Sequence, residues 1–355
     1  VCLDLRLYLS RMGRRRIDQV RSLMAVLANQ AEAVGDTVVA SYTHQQQAQA
    51  VPLAHHLLAY AWMMRRDVER FTDALRRVDV SPLGAGASGG SALPLDPAAV
   101  ADELGLPATF DNSMDAVASR DFVAEYVFAA TQAMVHCSRL AEEAVLWATA
   151  EYGWAAYADR HTTGSSALPQ KKNPDIAELV RGRAAAVIGD LSAVVALQKG
   201  LPLTYNRDLQ EDKRLVFHAD DTLGGALDAL AAMLGDAVFD PPPPDGFVTA
   251  LDLAEAFVLR GTPFREAHAA VGRLVAGAAR EGRTLADLTA GELDASDTPA
   301  VAEDVVLLDP AGSIARRATP GGGSMESVQT QLAKLRNWLE ASPGTRYQVP
   351  GTDDA

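Results

Sequence analysis

The sequence predicts an all-α fold, a bundle of unusually long helices, and three observations predict it. Alanine, leucine and arginine dominate long runs, which favours helix. Aromatic residues are only 6% of the 355, and β-branched residues rarely alternate with polar ones, so strand signals are scarce. Apolar residues also recur at three- and four-residue spacing over stretches well beyond the ~11–12 residues of an average helix. Such helices need continuous partners, which a bundle supplies.

The first helix is expected over 1–34, with Leu9, Leu23, Val26, Leu27 and Val34 on one face. Val1, Leu5, Tyr8, Leu9 and Met12 already keep helical spacing with no capping residue before them. The chain therefore reads as starting inside a helix, as a fragment lacking an upstream segment. A turn-like bridge at 35–52 leads to a second helix at 53–79. The run SPLGAGASGGSALPLDP, 81–97, is a loop, because glycine and proline interrupt it throughout. A short helix at 98–105 and one or two long ones within 112–152 follow. Pro174 and Asp175 suit the start of a helix. Ile176, Leu179, Val180, Val187, Ile188, Leu191, Val194 and Val195 then carry it for six or seven turns. Residues 201–213 interrupt the pattern, and helix resumes to about 236. Four prolines in DPPPPDG, 240–246, cannot sit inside a helix and mark a linker. The expected organisation is a central helical bundle at 1–239 and a smaller C-terminal helical domain at 247–355, closing on an amphipathic helix near 325–341. Stretches 53–64 and 122–150 are apolar on more than one face, which points to burial between subunits.

Bulk chemistry excludes several classes. Lys+Arg number 32 against 46 Asp+Glu, a formal charge of -14, which argues against nucleic acid as a partner. Cys2 and Cys137 are too few for a disulfide framework, so a cytoplasmic setting is the default. No apolar run approaches the ~20 residues of a membrane span, and no signal peptide is recognisable. There is no HExxH, CxxC or His/Cys cluster to hold a metal, and no GxxxxGK[ST]. GAGASGG at 84–90 follows no expected strand, so it is not read as a dinucleotide site.

Three segments carry more polar chemistry than structure requires. Thr43-His44 lies in SYTHQQQAQ, where the plain alternative is a turn whose histidine bonds locally. HTTGSSALPQKKNPD, 161–175, sets Ser165 and Ser166 beside Lys171, Lys172 and Asn173. The plain alternative there is a solvated loop. The functional alternative is an anion-attracting loop whose ammonium groups and helix N-terminus bind carboxylate, with a serine activated in that field. Gly164 before the serine lets such a loop move as a lid. Glu178, in the first turns of the following helix, is placed to orient a histidine from another segment. TYNRDLQEDK, 204–213, is polar almost throughout, and its plain alternative is a solvated elbow.

Together these segments resemble the fumarase/aspartase superfamily, and within it the argininosuccinate lyases. GSSALPQKKN, 164–173, is similar to the superfamily signature GSSxMPxKxN. QKKNPD and KGLPLTYNRDLQEDK are closer to the argininosuccinate lyases than to other branches. SYTHQQQAQ, NSMDAVASRDF, HCSRLAEEAVLW and RGTPFREAHAAVG extend the resemblance over nearly the whole chain. It implies cleavage of a C–N bond by β-elimination, releasing fumarate and leaving arginine, with no metal or organic cofactor. It implies Ser165 as the base and His44, oriented by Glu178, as the proton donor. Lys171 and Asn173 would hold the substrate carboxylate, and Thr43, Tyr205, Gln210 and Lys213 would line the site. It further implies a homotetramer whose active sites each draw on three chains, with Ser165 and His44 of one site coming from different subunits. The family carries an N-terminal segment ending in an SRNDQ motif, and this chain begins just after that point. Leu168 replaces the signature methionine, and Arg207 stands where several members carry lysine. Ser41, Gln45 and Ala50 depart from the family's usual residues near His44. These departures motivate a second reading, a paralogous lyase acting on a related succinyl or amino substrate. A third, a non-catalytic homologue, is weighed against by the intact Ser165, His44, Lys171, Asn173 and Glu178.

Overall fold

The computed structural model describes residues 1–341, and the part of the expected C-terminal domain at 342–355 lies outside them. The class is all-α, as the composition and periodicity require. Helix α1 (Cys2–Ala33) leads through strands β1 (Val38–Thr43) and β2 (Gln46–Pro52) to α2 (Leu53–Val78). Short elements follow: β3 (Val80–Ser81), α3 (Pro97–Glu103), β4 (Ala108–Thr109) and α4 (Ser113–Ala118). Helix α5 (Asp121–Trp147) is followed by β5 (Ala155–Ala156), β6 (Thr163–Gly164) and β7 (Lys172–Asn173). Then come α6 (Asp175–Gln198), α7 (Asp212–Gly235) and β8 (Val238–Phe239). The remainder is helical: α8 (Ala250–Leu259), α9 (Phe264–Arg280), α10 (Ala290–Asp294), α11 (Pro310–Ala315) and α12 (Met325–Ala341).

Five long helices, α1, α2, α5, α6 and α7, pack along one another. Their inward faces follow the three- and four-residue spacing. Leu9, Leu23 and Leu27 of α1 meet Leu57 and Leu58 of α2 and Met134 and Leu140 of α5 in one core. Each such leucine contributes roughly 1.5–3 kcal/mol by burial. Residues 253–308 hold a second core around Phe257, Leu285 and Leu293. Helix α12 belongs with the bundle instead: Val328, Leu332 and Leu335 join the first core. The Arg21 guanidinium stacks 5.1 Å from the Trp338 ring, and Arg336 pairs with Glu32 at 2.9 Å. We therefore propose the domain division at 240–246 with the last helix returning to the bundle.

One expectation needs correction. The bridge at 35–52 is a β-hairpin, with Val38 opposite Pro52 and Thr43 opposite Gln46. Its register shifts between Ala40 and Tyr42, and the Ser41 hydroxyl repairs the irregularity. That hydroxyl donates to the Gln49 carbonyl (3.0 Å) and accepts the Gln49 amide (3.1 Å). The segment 201–213 is also less open than its composition suggests. Arg207–Glu211 form a 3-10 turn and α7 begins at Asp212, which is buried.

Candidate active site

The bundle has two ends, and the polar segments divide between them. At one end lie the hairpin and the 161–175 loop. The loop is pinned at its neck, because Thr163 pairs with Asn173 and Gly164 with Lys172. Ser165 and Lys171 are the next residues beyond that ladder on its two strands, at the base of the loop it closes. The Ser165 hydroxyl oxygen accepts the amides of Ala167 (3.2 Å) and Leu168 (3.1 Å). Donors aimed at that oxygen stabilise negative charge on it, which is what a base formed from serine requires. The outside of the loop is tied down by charge. Lys172 pairs with Asp159, the Thr163 hydroxyl bonds Asp175, and His161 bonds Asp236 at 2.6 Å. Hydrogen bonds from His161 and Arg160 hold the Asp236 carboxyl below its ordinary range.

The hairpin turns on two residues, His44 and Gln45, with φ of +54° and +59°. Both are left-handed, as a type I′ turn demands, yet neither is the glycine or asparagine such turns favour. Strain of this kind persists where the side chain is needed. His44 is exposed and makes no hydrogen bond among the described residues. Four other histidines, 56, 136, 161 and 218, are each bonded to a carboxylate. The side chain of Glu178, exposed in the first turn of α6, likewise has no hydrogen bond or ion pair among the described residues. The hairpin is steadied by Tyr42 stacking on Tyr152 (4.9 Å) and by the Tyr152 hydroxyl donating to Gln45 (3.4 Å). Replacing Gln45 with glycine relieves one strained residue. Such a variant is expected to gain about 0.5–1 kcal/mol in denaturant unfolding, and an unchanged or lowered midpoint would show that the turn stores no strain.

Tyr205, Gln210 and Lys213 lie at the opposite end. Gln210 donates to the Tyr205 hydroxyl (2.8 Å), and Lys213 meets Asp212 (2.7 Å). Helix α6, 24 residues and so about 36 Å long, separates this cluster from Ser165. A single chain therefore brings Ser165, Lys171, Asn173, Glu178, Thr43 and His44 to one end of the bundle and the other three residues to the far end. Asp212, which holds Lys213, and Arg120, which pairs with Asp212, were not foreseen in the sequence.

A long-helix bundle carrying a pinned GSS loop and a histidine hairpin defines a lyase of the fumarase/aspartase class, and the comparisons agree. Residues 1–189 match the family profile described as lyase, and residues 247–315 match that of the argininosuccinate lyase C-terminal region. Argininosuccinate lyase of Nitratidesulfovibrio vulgaris (strain Miyazaki F) is 46% identical over 346 residues, covering 96% of this chain and 75% of the relative. That of Cutibacterium acnes is 48% identical over 350 residues, covering 96% and 74%. EDDS lyase in complex with formate superposes with a TM-score of 0.82 at 27% identity, covering 95% of this chain and 71% of that one. A class II fumarase from Schistosoma mansoni (TM-score 0.74, 13% identity, covering 90% and 70%) shares the fold. The chain belongs to the argininosuccinate lyase family, a family of carbon–nitrogen lyases.

Proposed function

We propose that this chain cleaves argininosuccinate to L-arginine and fumarate in arginine biosynthesis. The observation that carries the reading is the intact 164–173 loop, pinned at its neck and holding a Ser165 oxygen that already receives two amide donors. Ser165 removes the proton beside the succinyl carboxylate. The aci-carboxylate that forms is held by the Lys171 ammonium and Asn173. The C–N bond then breaks, its electron pair goes to the guanidino nitrogen, and His44, oriented by Glu178, supplies the proton there. Preorganised charge of this kind is usually the largest catalytic term.

Because one chain separates Ser165 from Tyr205, Gln210 and Lys213, we assign the working site to several copies of the chain, in a homotetramer. Leu179, Ile188 and Val195 on α6 are 56%, 46% and 54% exposed, apolar residues on the two open flanks of a core helix that further copies would cover. The departures near His44 do not favour a different substrate. Ser41 repairs the hairpin's irregularity, and Ala50 is fully buried against Val248 and Ile314. The free thiols of Cys2 and Cys137 fit a reducing cytoplasm, and among the described residues no helix is long and apolar enough to cross a membrane.

The test is fumarate absorbance on adding argininosuccinate, with the chain alone and extended by an N-terminal segment of the kind its longer relatives carry. Fumarate release from either supports the reading. A folded tetramer that releases fumarate from other succinyl adducts but not from argininosuccinate would replace it with the paralogue.

A further inference from the structure

At the far end of the bundle one buried carboxylate holds two cations. Asp212, the first residue of α7, is 1% exposed. Its Oδ2 accepts Arg120 Nε at 2.9 Å, and its Oδ1 accepts Lys213 Nζ at 2.7 Å. Arg120, itself buried, also donates to the Ser119 carbonyl (2.6 Å). The Ser119 hydroxyl accepts Arg6 (3.2 Å), whose guanidinium otherwise bonds the carbonyls of Arg77 and Val78. Two cations thus share one carboxylate, and a third, Arg6, joins the string of contacts through Ser119.

A plain structural role explains half of this. The Arg120 pair ties the start of α5 to the start of α7. It does not explain Lys213. Neighbouring residues of a helix point about 100° apart and do not ordinarily meet. A lysine in the first turn also sits at the positive end of the helix dipole, where a cation is disfavoured. Its flexible, partly exposed side chain could rest in water, yet it folds back onto the carboxylate of the residue before it and approaches the Leu209 carbonyl (3.4 Å). The ammonium is held in one place against its local preferences.

We propose that Asp212 is a positioning residue for the reaction: fixed by Arg120, it aims the Lys213 ammonium at the substrate. The inference rests on the reading that Lys213 lines the substrate site. Asp212 touches no reacting atom and acts through Lys213. Its loss therefore weakens substrate binding more than it slows the chemistry.

Asp212→Asn is expected to raise KM for argininosuccinate by roughly 10- to 100-fold, with kcat changed far less. Independently of substrate, acylation of Lys213 by an amine reagent, followed by peptide mass spectrometry, should rise several-fold. Lys171, Lys172, Lys199 and Lys334 should label as before. Arg120→Lys, which keeps the charge but loses the Nε contact, should move both readouts the same way to a smaller degree. It also keeps the test decisive if Asp212→Asn fails to fold. Unchanged Lys213 labelling and KM in a folded variant would overturn the proposal. So would a loss of kcat and stability with no change in KM. Fumarate separates this inference from the reading beneath it. If labelling rises in the variants but fumarate does not protect Lys213 in the unmodified chain, Asp212 still holds Lys213, and it is the placing of Lys213 in the substrate site that fails.

Discussion

Replacing Ser165 with alanine is expected to lower kcat for argininosuccinate cleavage by about 10²–10⁴-fold, the usual contribution of a positioned proton-transfer group. Little else should change. The residue lies at the neck of a surface loop, and its oxygen bonds only the amides of Ala167 and Leu168. Alanine leaves those two amides to water and removes no buried contact, so the melting temperature and assembly should stay as they were. KM should move little, because Lys171 and Asn173 remain to hold the carboxylate. The check is the steady-state rate of fumarate release, measured beside the unmodified chain. A variant that keeps more than about a tenth of kcat would remove Ser165 from the role of base and leave another group to be found.

The loop was legible because its chemistry is written in consecutive residues. Gly164 to Asn173 carry the signature in order, and the two-pair ladder at their ends needs no distant information. The long helices were legible for a similar reason. Val180, Val187 and Val194 recur every seven residues and are all buried, while Leu179, Ile188 and Val195 beside them are open. Periodicity marks all six as apolar but cannot say which of them face the chain's own core. The hairpin was not legible. SYTHQQQAQ has no alternation of apolar and polar residues, and its turn uses His-Gln where Asn-Gly would have announced it. Asp212 was missed for the opposite reason. It stands in an almost wholly polar run, and its burial is tolerable because, beside Lys213, a partner 92 positions earlier in the chain, Arg120, meets its carboxylate.

The same kind of distant pairing sets the largest stability effect expected here. Asp220, on α7 and fully buried, accepts both Arg16 Nε (2.8 Å) and Arg16 Nη2 (2.7 Å), the Tyr126 hydroxyl (2.5 Å) and the Tyr8 hydroxyl (3.3 Å). Burial, followed by the nearby Asp220 charge, pushes the Tyr126 hydroxyl well above its ordinary range, so it remains a donor. Asp220→Asn removes the charge and leaves the Arg16 guanidinium buried without a counter-ion. Breaking one partner of such a pair costs about 3–5 kcal/mol. Glycine 224, one turn on, gives a sharper test because its sign is reversed. In the middle of a helix, glycine to alanine ordinarily stabilises by about 0.8–1 kcal/mol. Here a Cβ on Gly224 would stand 2.1 Å from Arg16 Nη1 and 2.4 Å from its Cζ, so the guanidinium must leave its carboxylate. Gly224→Ala should therefore destabilise the chain, and a double variant with Asp220→Asn should lose less than the two single losses added together. Denaturant unfolding of the three variants measures this. A stabilising Gly224→Ala, or strict additivity, would mean that Arg16 has room to move and that the pair at the centre of the bundle is not what fixes α1 against α7.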